Sequence, residues 1–165
     1  MNMLRLTKPF LPFCLFILVL TGCATGSYSA GPYAKFYRVP HPIQCVPYAR
    51  KVSGIPIMGN AHTWWAQAGQ LHYQRGSRPQ NGAVLVLSQG NKLRYGHLAV
   101  VKRVIGPREI DVTHSNWGND RTSRSLVYEF MRVRDVSPRN DWTQLRFWNG
   151  KSFGSVYPAY GFIYK

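Results

Sequence analysis

The sequence contains few carboxylates. Asp and Glu number 6 among 165 residues, against 21 Lys and Arg, and the first of the six is Glu109. A glycosidase with two catalytic carboxylates, or a metal site built from carboxylate oxygens, would depend on this late and scattered set, so both are disfavoured. The length fits one domain with a hydrophobic core, and a hydrophobic content of 45% argues against a disordered basic tail.

Cysteine is also scarce, and the beginning of the chain accounts for most of it. Arg5 and Lys8 precede an apolar run over residues 9–20, which is typical of a secretory signal. The segment LTGC that ends at Cys23 resembles a bacterial lipobox, whose cysteine is lipidated and becomes the mature N-terminus. Ala24 resembles the outer-membrane sorting class of Gram-negative lipoproteins.

This pattern predicts a lipoprotein signal peptide over residues 1–22 and a lipidated Cys23 carrying palmitate. The expected location is the cell envelope, at an outer membrane facing the periplasm if the organism is Gram-negative. A plain signal peptide and an uncleaved anchor helix remain open, although about twelve apolar residues are short for the roughly 20 that span a bilayer. With Cys14 removed and Cys23 lipidated, Cys45 is the one thiol left, either reactive or a small buried side chain.

The remaining chain divides into a tether and a domain. Residues 23–43 are rich in Gly, Ser, Pro and Tyr without a period, which predicts a flexible tether. Residues 44–165 form the predicted domain. Its first helix places Pro47 in the first turn, because proline is tolerated there, and Cys45 therefore lies at or just before the helix start. Gly54 and Pro56 end that helix.

Later segments predict a second helix and then β-structure. Asn60 is a candidate cap for a helix over residues 61–67. Helices followed by strands indicate an α+β domain with an antiparallel sheet. The predicted strands cover residues 83–87, 97–105, 108–114, 126–133, 143–148 and 160–164.

A thiol at a helix start is well placed for reactivity. Backbone N–H groups and the positive end of the helix dipole favour the thiolate of Cys45, and the same N–H groups can hold an oxyanion. A base must then lie within hydrogen-bond reach. If the hairpin that joins the strands of His97 and His114 has an even loop, these two histidines and Asn116 project from one face. His41, His62 and His72 are interpreted as packing or surface residues.

Four segments resemble the CHAP domain family, the cysteine- and histidine-dependent amidohydrolases and peptidases. In family order they are residues 44–50 (QCVPYAR), 59–64 (GNA, then Trp64), 78–84 (RPQNGAV) and 95–101 (YGHLAVV). The resemblance extends over roughly residues 44–117. It implies a papain-like α+β fold, with N-terminal helices packed on an antiparallel sheet, and a CHAP-like catalytic domain over residues 44–165.

The resemblance also implies the roles of the site residues. Cys45 is the nucleophile and His97 the general base. The family's third position usually carries Glu, Asp or Asn, whereas His114 stands there in this sequence, as in the related NlpC-type peptidases. An Asn two residues later is retained as Asn116. A neutral imidazole fixes the tautomer of His97 but stabilises its imidazolium form less than a carboxylate does.

The implied activity is cleavage of amide bonds in bacterial peptidoglycan, by an N-acetylmuramoyl-L-alanine amidase or a peptide endopeptidase of Cys-His-His type. No metal or other cofactor is predicted. Two alternatives remain open. One is a catalytically weak or inactive lipoprotein that binds the cell wall or acts as a scaffold on the same fold, and the other is amide cleavage on a substrate outside the wall.

Aromatic and basic residues suggest further contacts. Tyr48, one helical turn after Cys45, either supports the site or packs in the core, and Trp117 is the tryptophan best placed for substrate contact. The excess of Lys and Arg indicates anionic partners in the envelope, including lipid head groups, lipopolysaccharide and acidic wall peptides, rather than nucleic acid. The predicted partners are therefore peptidoglycan and, through the N-terminal lipid, the membrane.

Overall fold

The computed structural model describes residues 26–165, where the helices are few and short. They are α1 (Cys45–Ser53), α2 (Trp64–Gln70) and α3 (Arg121–Arg124), with single 3-10 turns at Gly31–Tyr33 and Ala61–Thr63. Within this part of the chain, no helix has the length and apolar character to cross a bilayer. The predicted signal peptide and the lipidated Cys23 lie outside the described residues.

Strands contain more of the described residues than helices do, and every pairing between them is antiparallel. They are β1 (Ser27–Ser29), β2 (Ala34–Arg38), β3 (Arg75–Gly76), β4 (Val84–Leu87), β5 (His97–Gly106), β6 (Glu109–Ser115), β7 (Leu126–Asp135), β8 (Gln144–Trp148) and β9 (Phe153–Ile163).

Six of these strands close into a barrel in the order β7-β6-β5-β4-β9-β8, because β8 pairs with both β7 and β9. Strands β7 and β9, of 10 and 11 residues, are long enough to pair with different neighbours along their lengths. β7 pairs first with β2 and then with β8, while β9 pairs first with β8 and then with β4. The predicted antiparallel sheet is therefore present. It closes into a barrel, however, whereas the prediction was a sheet with helices packed on it.

Alternation along the strands separates two cores. In β4, Leu85 and Leu87 face the barrel interior, whereas Val84 and Val86 face outward. The outward residues pack beneath α1 and α2, together with the fully buried Trp64. The helices thus cover one side of the barrel, and the catalytic candidates lie where that side meets the barrel end.

The boundaries of α1 confirm the prediction made from proline and glycine. Gln44 is its extended N-cap residue, and Cys45 is the first helical residue, with Pro47 third. Gly54 ends the helix in a left-handed conformation, φ 71°, and its N–H donates to the Arg50 carbonyl at 2.9 Å. Glycine adopts this conformation without the steric cost that a Cβ would impose.

The predicted tether is wrong for residues 27–38. In this segment β1 pairs with β2, and β2 extends the sheet at β7. Lys35 forms a salt bridge with Glu129 at 2.7 Å, and the indole N–H of Trp148 donates to the Ala30 carbonyl at 3.2 Å. The composition concealed β2 because its partner β7 lies about ninety residues further along the chain, and β1 pairs only with β2 in this segment.

Candidate active site

The two histidines singled out from the sequence meet at one end of the barrel. His97 begins β5 and His114 is the penultimate residue of β6. The predicted register holds near them, since Val100 pairs with Thr113, while the bulges that interrupt it lie closer to the hairpin turn. Nε2 of His97 lies 3.0 Å from Nδ1 of His114, which is hydrogen-bonding distance.

Aromatic side chains enclose this pair. The ring of Trp117 lies 4.8 Å from that of His97, and the ring of Tyr128 lies 4.9 Å from that of His114. His97 is 3% exposed and His114 is 0% exposed. Burial lowers the pKa of His97 from 6.5 to about 3. Burial, together with the proximity of His97, also lowers the pKa of His114 well below its ordinary value, so both rings are neutral at neutral pH.

The hydrogen bond between the rings couples their tautomers, because one nitrogen donates and the other accepts. When Nε2–H of His97 donates to Nδ1 of His114, Nδ1 of His97 keeps a lone pair that can accept a proton. His114 then carries its own proton on Nε2. That atom is buried and has no hydrogen-bond partner within the described residues. The pair can therefore supply a base, and its cost is one buried N–H group without a protein acceptor.

Cys45 is a free, half-buried thiol at the first residue of α1. Burial raises the pKa of the Cys45 thiol, although hydrogen bonds from the backbone of Leu98 and Val46 act in the opposite direction. The contact with Leu98 places the thiol beside the residue that directly follows His97 in β5. The sequence analysis expected the helix start to favour the thiolate of Cys45. That expectation is wrong, because the start of α1 packs against the hydrophobic residues that lie beneath α1 and α2.

The end of β6 holds the segment that precedes the thiol. The hydroxyl of Ser115 donates to the Ile43 carbonyl at 2.8 Å, and Nδ2 of Asn116 donates to Oε1 of Gln44 at 2.6 Å. Asn116 lies just beyond the last residue of β6 and has a left-handed backbone, φ 58°. Its contact with Gln44 places it beside the residue that precedes Cys45.

Ser115 and Gln44 are site residues that the sequence analysis did not identify. Side chains alternate along a strand, so Ser115 must point to the face opposite His114, where α1 packs. Thr113 lies on the same outward face and also bonds to α1. The alternation of side chains along β6 could have identified Ser115, because α1 packs on the face opposite His114. The contact with Gln44 has no such signal, because it depends on the backbone turn at residue 116.

Tyr48 and Trp117 occupy different surroundings. The Tyr48 hydroxyl lies 2.6 Å from Oγ1 of Thr113, which itself donates to the Tyr128 carbonyl at 2.7 Å. Tyr48 therefore ties α1 to β6 and β7. Trp117 packs over the His97 ring and contacts Tyr157 at 5.0 Å between ring centroids, so it shields the histidine pair.

The carboxylates form contacts away from the histidine pair. Five of the six lie in salt bridges with Lys or Arg, and Asp120 instead caps α3 by accepting from the Ser123 N–H at 2.9 Å. Within residues 26–165, no group of three or more His, Cys, Asp or Glu side chains is arranged to hold a metal ion. The position beside His97 is thus filled by an imidazole, and the site offers acid–base chemistry between a thiol and two neutral rings.

Comparison with known proteins relates this site to a family. One solved structure, of N-acetylmuramoyl-L-alanine amidase from Staphylococcus aureus, is 28% identical over 58% of this chain, with a TM-score of 0.41. The match covers 31% of that protein, so this chain spans less than a third of its length. The family model of the CHAP domain matches residues 35–116. The segment that carries Cys45, His97, His114 and Asn116 is therefore a match to the CHAP domain.

Proposed function

We propose that this protein is a cysteine hydrolase that cleaves amide bonds in bacterial peptidoglycan. The observation that carries this proposal is the 3.0 Å hydrogen bond between His97 and His114, with Cys45 at the helix start beside the strand of His97. All three residues lie within the match to the CHAP domain, a family of amidohydrolases and peptidases. Their arrangement supports a nucleophile, a base and a residue that orients the base.

The first half of the reaction transfers the acyl group to sulfur. Nδ1 of His97 takes the thiol proton as Sγ of Cys45 attacks the carbonyl carbon of the amide. Backbone N–H groups at the start of α1 stabilise the negative charge that forms on the carbonyl oxygen. The tetrahedral intermediate then expels the amine, which receives the proton from His97, and leaves a thioester on Cys45.

The second half of the reaction restores the thiol. His97 takes a proton from water, and the resulting hydroxide attacks the thioester carbonyl. The C–S bond breaks, the sulfur recovers the proton from His97, and the carboxylic acid product leaves and loses its proton to water. During both halves His114 keeps Nε2–H of His97 hydrogen-bonded, so Nδ1 remains directed to the reaction.

One observation favours a second candidate, a wall-binding or scaffolding protein with weak or no catalysis. The buried histidine pair disfavours the imidazolium that the mechanism requires, since the pKa of His97 is lowered to about 3. Burial also raises the pKa of the Cys45 thiol. A carboxylate in place of His114 would stabilise the imidazolium by charge, whereas a neutral ring contributes only a hydrogen bond.

Amine release from purified sacculi distinguishes the two candidates. Cys45→Ser and His97→Ala should each abolish the release of new amino groups, because each removes an atom that takes part in bond exchange. His41→Ala, at an exposed histidine outside the site, is the matched control and should retain activity. Release that survives Cys45→Ser, or that a chelator removes, contradicts the proposed mechanism. Binding to sacculi without release by the wild type supports the scaffold.

The products of digestion identify which bond is cut. An N-acetylmuramoyl-L-alanine amidase separates the glycan from the peptide, whereas an endopeptidase leaves shortened peptides on the glycan. Mass spectrometry of the digested muropeptides measures this difference directly. The same measurement tests both activities, because an amidase and an endopeptidase would use the same catalytic residues.

We also propose that the protein is anchored in the bacterial envelope by a lipid on Cys23, on the basis of its lipobox-like segment. Cells that express the full chain should incorporate radiolabelled palmitate into it, and Cys23→Ser should remove the label. Equal labelling of both chains would contradict the proposed anchor.

A further inference from the structure

A concave region of the surface lies beside the aromatic residues that shield the histidine pair. It has a volume of about 190 Å³ and lies between the turn that follows β4 and the middle of β9. We name it the Lys92 pocket. Its lining residues are Ser88, Gly90, Asn91, Lys92, Leu93, Val156, Tyr157 and Pro158.

The Lys92 pocket is connected to the candidate active site by stacked rings. Tyr157 forms one wall and lies 5.0 Å from Trp117, whose ring in turn lies 4.8 Å from His97. A substrate that extends from the histidine pair across Trp117 would therefore reach this wall. The pocket lies along the surface next to the site and does not contain the reacting groups.

The walls are held in place before any ligand binds. The Ser88 N–H and hydroxyl both donate to the Pro158 carbonyl, at 3.0 and 3.1 Å, and join the two sides of the pocket. Backbone hydrogen bonds in both directions between Gly90 and Leu93, at 3.0 and 3.1 Å, close the turn. Leu93 and Tyr157 also pack against the inner core. A ligand would therefore bind without the entropic cost of ordering this loop.

Charge indicates which ligand the pocket fits. The ammonium group of Lys92 lies 5.8 Å from the centre of the Tyr157 ring. The lining contains no Asp or Glu. None of the salt bridges formed within residues 26–165 includes Lys92. The pocket therefore combines an apolar wall with an uncompensated positive charge.

From this combination we propose that the Lys92 pocket binds a carboxylate-bearing segment of the substrate peptide. The carboxylate contacts Lys92, and the aliphatic part of the segment packs on Leu93 and Tyr157. Residues 156–158 lie beyond the CHAP match, which ends at residue 116, so the pocket is completed by a part of the chain that the family match does not cover. The inference rests on the proposed function only for the identity of the peptide.

Binding without turnover tests the pocket separately from catalysis. The full chain carrying Cys45→Ala is titrated by calorimetry with peptides released from purified peptidoglycan. One portion keeps its free carboxylates, and the other has them converted to primary amides. Lys92→Gln should weaken binding of the free-carboxylate peptides about three- to fivefold at low salt, as expected for an exposed ion pair. It should leave binding of the amidated peptides unchanged.

Two controls separate a specific contact from a general effect of charge. Lys151→Gln removes an exposed lysine that does not line the pocket, and it should leave both affinities unchanged. Lys92→Arg keeps the charge and should retain the preference for free carboxylates. Unchanged affinity in Lys92→Gln, or an equal loss for both peptide portions, overturns the proposal.

The outcomes also distinguish this proposal from the proposed function. Lys92-dependent binding by a protein whose wild type releases no amine from sacculi supports the pocket and contradicts hydrolysis. Amine release without Lys92-dependent binding supports hydrolysis and overturns the pocket. Circular dichroism of each variant establishes that the comparison is made between folded proteins.

Discussion

Acidification of the wild-type protein tests the chemistry of the histidine pair most directly. The mechanism requires neutral His97, whose pKa burial lowers from 6.5 to about 3. At pH 5 a histidine with the ordinary pKa would be only about 3% neutral, whereas His97 would remain about 99% neutral. We therefore expect kcat/KM at pH 5 to stay close to its value at pH 7. An unshifted base would lose about 25-fold over the same interval.

The measurement is a profile of kcat/KM from pH 4 to 8 on soluble muropeptides at constant ionic strength. The Cys45→Ser protein supplies the background rate at each pH, and circular dichroism establishes that the fold persists. Nuclear magnetic resonance of labelled histidine rings provides the titration of His97 independently of activity. Acetyl-histidine amide, measured in the same buffers, serves as the reference for an unburied ring.

An acid limb with an apparent pKa between 6 and 7 would refute this reasoning. It would mean that water reaches the ring and that the enclosure by Trp117 opens in solution. The same result in the ring titration, with no enzyme activity needed, would refute it equally. A flat profile down to pH 5, together with a ring titration in which His97 stays neutral over the same range, would instead establish that the resting His97 is a neutral imidazole.

Three further predictions concern stability and positioning. Because burial lowers the pKa of His97 to about 3, the folded protein does not take up the proton that the unfolded chain binds below pH 6.5. The free energy of unfolding should therefore fall between pH 6.5 and 5, by about 1.6 kcal/mol for His97 and further for His114, whose pKa burial also lowers. A urea titration at each pH measures this fall, and a pH-independent value would contradict it. His114→Ala should lower kcat about 10- to 100-fold with little change in KM, because Nε2–H of His97 loses its acceptor. His41→Ala, at an exposed histidine outside the site, is the control, and wild-type kcat in His114→Ala would exclude the positioning role. Ser115→Ala should lower the free energy of unfolding by about 1 kcal/mol and lower kcat more than it changes KM, and Ser115→Thr should restore both. Ser155→Ala, at an exposed serine, is the control. A loss of stability with unchanged kcat would show that Ser115 contributes to the fold alone.

Local backbone rules account for the parts of this protein that were predicted correctly. Pro47 and Gly54 fix the two ends of α1, because one lacks an N–H and the other tolerates a left-handed backbone. Alternation along the hairpin brings His97 and His114 to one face. These rules involve residues close in sequence, and their outcome therefore changes little with the rest of the fold.

The errors arise where distant residues decide the result. The tether prediction failed for residues 27–38 because β2 pairs with β7, about ninety residues later in the chain, and β1 in turn pairs with β2. The contact of Asn116 with Gln44 was not predicted either, because the chain leaves the strand at Asn116 with φ 58° and strand alternation no longer applies there. Neither the closure of the barrel nor this contact has a signal in the local pattern.

Patterns along the chain were enough to predict which groups are available for chemistry, namely a thiol at a helix start and two histidines on one strand face. Their protonation states depend instead on how the whole domain packs around them. The pKa of Cys45 rises and that of His97 falls because packing removes water from both, and burial depends on every element around a residue. The Lys92 pocket has the same origin, since its two sides come from segments about sixty residues apart in the chain.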